Sequence, residues 1–282
     1  GAEFGAARRY GSYEALAADP DVDAVYVASP HPMHKEDSLL CLNGGKAVLC
    51  EKPFTINAAE ALQVIGTARA RKLFLMEAMW TRFTPVMGKV RELVSQGAIG
   101  EVRIVQADFG FRAGFDPKSR LFDPALGGGA LLDVGVYCIS FASMLLGTPE
   151  QVVGTAHLGE SGVDENTGIL LRYPKGEIAV LAVAVRANTP QEATVIGTEG
   201  KIRIHAPFWI PRALTLSRSG QEDEFIELPY EGNGYNYEAQ EVARCVGEGL
   251  MESPIMPLDE TLAIMQTMDS LRAPWGLKYP TE

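Results

Sequence analysis

Cysteine pairs are the first thing this sequence lacks. Its four cysteines, Cys41, Cys50, Cys138 and Cys245, show no C-x-x-C spacing. That argues against a disulfide scaffold, a cysteine zinc site or a redox pair, and it fits small buried side chains in a reducing cytoplasm. Positive charge is also in deficit: 25 Lys and Arg face 36 Asp and Glu, for a net charge of −11. Such a surface repels phosphate backbones and anionic lipid, so no nucleic acid and no membrane partner is expected. No apolar run reads as a membrane span, and the N-terminus lacks signal-peptide architecture. Missing too is a G-x-G-x-x-G opening a helix after a strand, with an acidic residue about twenty positions on. Gly127-Gly128-Gly129 is no substitute, because it lies far downstream and follows no strand of that kind. The sequence opens in what would be the middle of a dinucleotide domain, so the expectation is either a fragment or an unrecorded first βαβ unit.

What is present has the composition of a globular protein with room for two cores: 282 residues, 46% hydrophobic and 22% charged. Apolar runs at 24–28, 46–50 and 74–76 read as strands, separated by helical patterns at 33–43 and 57–71, with a shorter helix at 13–18. Continuous apolar strands joined by single helices are βαβ units in a parallel sheet covered on both faces. Beyond Met76 a helix is expected over 84–96, and then the period becomes two. Strands are expected at 101–111, 151–158, 167–173, 177–187, 193–197, 201–205, 213–217 and 225–228. A helix at 130–146 interrupts them, and helices at 235–248 and 258–273 close the chain. The fold class is therefore α/β: an incomplete doubly wound (Rossmann) domain, then an α+β domain with a large, mostly antiparallel open sheet. We place the first domain at 1–80, the second at 81–257, and a C-terminal helix and tail packing back on the first at 258–282.

The chain is organised around Val48-Leu49-Cys50-Glu51-Lys52-Pro53-Phe54. Ligands of open α/β sheets bind outside the carboxyl ends of the strands, and Pro53 keeps Lys52 out of the helical region, so a lysine is presented where chemistry is done. The plainer reading is a solvated Glu51–Lys52 pair closing a strand. His31 and His34 suggest a metal pair, but no third ligand stands at a sensible spacing, so no metal is expected. Trp80 and Arg82, just past a strand end, either wall the pocket or serve as a packing aromatic and a surface arginine.

Four motifs in order, Ala28-Ser29-Pro30-His31-Pro32-Met33-His34, Glu51-Lys52-Pro53, Met76-Glu77-Ala78-Met79-Trp80-Thr81-Arg82-Phe83 and Gly127-Gly128-Gly129-Ala130-Leu131-Leu132-Asp133-Val134-Gly135-Val136-Tyr137, carry a resemblance. They resemble the glucose-fructose oxidoreductase, inositol dehydrogenase and rhizopine-catabolism superfamily (Gfo/Idh/MocA), and within it the dimeric dihydrodiol dehydrogenases. The likeness runs from about residue 10 to 280. It implies an NAD- or NADP-dependent oxidoreductase that moves hydride between nicotinamide and a secondary alcohol or carbonyl of a sugar, polyol or cyclic diol. It also implies a homodimer, or higher homo-oligomer, joined through the open sheet. The implied catalytic residues are Lys52, Tyr137 and Asp133. Asp133 and Tyr137 stand at i and i+4 on one expected helix, so they share a face. A tyrosine near Lys⁺ can exchange the hydroxyl proton because the cation favours phenolate, though sequence does not decide between Lys52 and Tyr137 as its carrier. Without the likeness, Asp133 reads as a helix-entry charge and Tyr137 as a core aromatic. The implied cofactor contacts are Ser29, Pro30, His31, His34, Glu51, Lys52, Trp80 and Arg82. The alternative is a non-catalytic remnant that dimerises or binds ligand because the pyrophosphate loop is absent.

Overall fold

The computed structural model describes residues 3–282. Regular structure begins at helix α1 (Tyr13–Ala17), where the Ser12 hydroxyl accepts the Ala15 N–H and caps the first turn. Strand β1 (Ala24–Val27) follows, then α2 (His34–Asn43), β2 (Ala47–Glu51), α3 (Ala58–Arg71) and β3 (Leu75–Ala78). The three strands pair in parallel in the order β1-β2-β3. Central β2 is buried on both faces over Ala47–Cys50, as its unbroken apolar run requires, whereas edge strand β1 alternates buried and exposed residues. Asn57 caps α3 by accepting the Glu60 N–H, while the Glu60 carboxylate reaches back to the Ile56 N–H. Two orphan donors of the helix start are thereby satisfied. The expected helix start at Met33 moves to His34, because Pro32 sits in a short 3-10 turn, His31–Met33.

Helix α4 (Pro85–Ser95) leads into the second sheet, whose strands are β4 (Val102–Gly110), β5 (Gln151–Leu158), β6 (Asp164–Arg172), β7 (Ile178–Ala184), β8 (Ala193–Gly197), β9 (Gly200–Ile204), β10 (Ala213–Arg218) and β11 (Glu224–Glu227). Their order is β11-β10-β9-β8-β4-β7-β6-β5. All neighbours are antiparallel except β4 and β7, so the sheet is mixed at its centre. The cause is helix α5 (Val136–Leu146), which carries the chain away from β4 before the meander returns beside it. α5 covers one face of the sheet. On the other face the cross-strand row Val153, Leu170 and Val180 is about half exposed.

Helices α6 (Asn236–Gly247) and α7 (Leu258–Arg272) close the chain. Asp269 of α7 accepts the Ala58 N–H at the start of α3, and Trp275 Nε1 donates to the Gly154 carbonyl of β5, so the C-terminal segment bridges both sheets.

Residues Pro124–Leu146 are long and apolar enough, by length and composition, to cross a membrane. Most of that segment is buried inside the protein, and it is divided into a 3-10 turn, a glycine run, a π turn and α5. It is a core helix.

Candidate active site

A cleft of about 590 Å³ lies between the carboxyl ends of β1 and β2 and the first turns leading into α5. Ser29, Pro30, His31, His34, Glu51 and Lys52 line it from the first domain, and Asp133 and Tyr137 from the second. The local sequence explains each approach. β2 ends in a charged pair at proline, so the chain turns where Lys52 projects. On the opposite side Leu131–Gly135 is a π turn that continues directly into α5, which presents Asp133 and Tyr137 together.

That turn is anchored from β6. Asp164 Oδ2 accepts both the Leu131 N–H and the Thr167 hydroxyl, each at 2.7 Å. Gly129, at φ +116°, makes room for it, since a Cβ there would come within 2.3 Å of Asp164 Oδ1. Burial pushes the Asp164 carboxyl up to about 6 against these two hydrogen bonds.

Lys52 Nζ donates to the Asp133 carbonyl at 2.9 Å, lies 3.7 Å from its Oδ1, and sits 4.7 Å from the centre of the Tyr137 ring. Asp133 is pinned again by Arg120, whose Nη1 donates to Oδ1 at 2.6 Å. Burial pushes the Asp133 carboxyl up, but the Lys52 and Arg120 charges outweigh it and hold the group below its ordinary value, hence ionised. Burial raises the Tyr137 phenol well above its ordinary value, opposed by the Trp80 N–H that donates to its oxygen at 2.9 Å. Burial outweighs the other influences on the phenol, whose ring the Lys52 ammonium faces. Burial, with Lys52 and His34 adding to it, pushes His31 down to about 3, so a neutral imidazole faces the cleft.

His34 Nδ1 lies 2.9 Å from the Pro53 carbonyl and Nε2 2.8 Å from the Ser29 carbonyl. Each nitrogen faces a backbone carbonyl, to one of which the ring can donate as a neutral imidazole, and the fully buried residue braces the two strand ends. Glu51 accepts from the Tyr26 hydroxyl and from the Lys52 N–H.

Two expected cofactor contacts are corrected by position. Arg82 is 2% exposed and runs inward to the Ser140 hydroxyl and carbonyl and to Glu260, because the 3-10 turn Trp80–Phe83 aims it at α5 and α7. Trp80 is 5% exposed and stands behind Tyr137, stacked on Tyr235. Sequence reasoning missed Phe109, Phe111 and Tyr235, which line the cleft together with Arg120. For Arg120 the signal was its place in the glycine- and aspartate-rich loop before the Asp133 turn. The aromatic residues at the end of β4 gave none beyond alternation.

A model described as an oxidoreductase family with an NAD-binding Rossmann fold matches residues 2–79, and a GFO/IDH/MocA C-terminal domain matches residues 87–203. Trans-1,2-dihydrobenzene-1,2-diol dehydrogenase of Xenopus tropicalis is 41% identical over 283 residues, covering 97% of this chain and 84% of its own. This chain belongs to the Gfo/Idh/MocA oxidoreductase family. The Mus musculus enzyme of the same name is 40% identical, covering 99% of this chain and 85% of its own. Among solved structures, the aldose-aldose oxidoreductase of Caulobacter crescentus complexed with glycerol superposes with a TM-score of 0.86 at 28% identity, covering 95% of this chain and 82% of its own. A 3-ketoreductase of Actinomadura kijaniata in complex with NADP and TDP-benzene gives 0.82 at 28%, covering 94% and 82%.

As a member of this family the protein is an NAD(P)-dependent oxidoreductase that moves hydride between nicotinamide and a secondary alcohol or carbonyl. The cleft fits the nicotinamide end of such a cofactor. It opens at the carboxyl ends of parallel strands, and the Ser29 hydroxyl there is hidden from solvent with no partner among the described residues.

Proposed function

We propose that this oxidoreductase acts on cyclic vicinal diols, with Tyr137 exchanging the hydroxyl proton and with Lys52 and Asp133 holding the reacting oxygen. The observation that carries the reading is the meeting of ammonium, carboxylate and phenol from two domains in one cleft, beside the aromatic walls of Phe109, Phe111 and Tyr235. A bound nicotinamide dinucleotide supplies the hydride acceptor or donor. Ser29, Pro30, His31 and Glu51 are the residues we assign to its nicotinamide and ribose.

Lys52 uses one of its three N–H groups on the Asp133 carbonyl, so others remain for a substrate oxygen. The Lys52 ammonium, placed at the cleft beside Asp133, is the charge that stabilises the negative charge growing on a secondary alkoxide. In reduction the Tyr137 phenol gives its proton to the carbonyl oxygen, and in oxidation its phenolate takes the proton of the alcohol. Asp133 orients Lys52 through its carbonyl and carboxylate.

Three further assignments belong to this reading. The division near residue 80 is supported by the change from the parallel to the mixed sheet beyond β3. A homodimer through the open face is supported by the exposed row Val153, Leu170 and Val180. A cytoplasmic location is supported by four unpaired, buried cysteines.

The test compares NADPH or NADH formation from a trans-cyclic 1,2-diol with formation from aldoses at equal concentration. The proposal expects the higher kcat/KM for the diol. A clear preference for aldoses would overturn the diol assignment.

A further inference from the structure

Trp80 stands at the centre of an arrangement that the proposed chemistry has not used. Its indole Nε1–H donates to Tyr137 Oη at 2.9 Å in the protein interior. An indole nitrogen donates and never accepts, so the phenolic oxygen is the acceptor in this bond and its own hydrogen points elsewhere. Among the described residues no acceptor is bonded to that hydrogen, and Tyr137 lines the cleft, so the hydrogen is left for a molecule bound there.

The indole is held firmly enough to dictate this direction. It stacks on Tyr235 with ring centres 4.7 Å apart and planes 14° apart. Gly234, at φ +89°, lies against its six-membered ring, where a Cβ would come to 3.2 Å. Trp80 comes from the turn after β3, whereas Tyr137 comes from α5, so the phenolic oxygen is gripped from outside its own helix.

We propose that Trp80 is a positioning residue for proton transfer: its N–H fixes Tyr137 Oη, turns the phenolic hydrogen into the cleft, and stabilises the phenolate left when that proton departs. The inference rests on the reading of Tyr137 as the proton carrier. In reduction the Tyr137 O–H bond breaks and the proton joins the substrate oxygen; in oxidation it returns, and Trp80 keeps its hydrogen throughout. A neutral donor bonded to an oxygen gains strength as that oxygen becomes anionic, so the contact favours the charged state of the phenol over the neutral one. The same hydrogen bond is the influence that opposes burial at Tyr137.

The test removes the donor and keeps the shape. Trp80→benzothienylalanine, with sulfur in place of N–H, lowers kcat for alcohol oxidation at neutral pH by about 10-fold, the value of one hydrogen bond to a charged group. The rise of kcat with pH moves upward by about one pH unit in the same variant, while KM stays near that of the wild type. Trp80→Phe shifts the profile the same way. A readout without cofactor is the indole N–H resonance of Trp80, which moves upfield in Tyr137→Phe as its acceptor disappears. A profile unmoved by the isosteric replacement, or a Trp80 resonance unmoved by Tyr137→Phe, overturns the role of Trp80. Near-normal turnover in Tyr137→Phe instead overturns the proton-carrier reading on which it rests.

Discussion

Glu77 makes the stability of this protein depend on pH in a direction opposite to that of a salt-bridged carboxylate. It is fully buried at the end of β3, where its Oε1 accepts the N–H of Phe54, two residues beyond Lys52. Burial pushes its carboxyl up to about 7, against the opposing Thr261 hydroxyl, the Arg82 charge and the Phe54 amide. Between 4.5 and about 7 the folded state therefore holds a proton that the unfolded chain has released, and stability falls as pH rises through that window. At about 1.4 kcal/mol per unit of pH the whole interval is worth about 3 kcal/mol. Glu77→Gln keeps an oxygen for the Phe54 N–H and cannot ionise. Urea unfolding of both proteins across this range should show the variant gaining about 3 kcal/mol on the wild type from the acid to the alkaline end. Glu238, buried near Glu51 and pushed up to about 9, adds its own slope to both proteins and cancels in the difference. A difference that stays constant with pH would refute the account of Glu77.

Asp164→Ala strips the π turn of its cap and leaves the Leu131 N–H and Thr167 hydroxyl without their acceptor; a loss of about 2 kcal/mol in urea unfolding is expected. Asp164→Asn, which retains an acceptor oxygen, should lose less, and equal losses would contradict the capping role. Leu170→Glu puts a charge into the exposed row of the open sheet face, and sedimentation should show a dimer becoming a monomer of unchanged secondary structure. A wild-type protein that sediments only as monomer would remove the dimer proposal.

Much of this architecture is legible because its signals are local. Unbroken apolar runs announce the parallel strands β1 and β2, and the proline after Lys52 marks where the second of them must stop. The i, i+4 spacing of Asp133 and Tyr137 survives the π turn well enough for both to face the cleft. Direction after a strand end is harder to read, because one 3-10 turn decides it. Trp80 and Arg82 sit two residues apart in such a turn, and both go inward, one behind the Tyr137 phenol and the other into the interior ion pair with Glu260. Asp164 was hidden for a different reason: it acts across a long separation on a turn it does not adjoin, a relation that periodicity does not carry.

The central claim is that Lys52 and Tyr137 serve the chemical step rather than the fold. Its most direct measurement is kcat and dinucleotide affinity, side by side, for Lys52→Met and Tyr137→Phe. The account predicts kcat lower by about 100-fold or more in each, with dinucleotide affinity largely retained. Turnover near that of the wild type in both variants would contradict it.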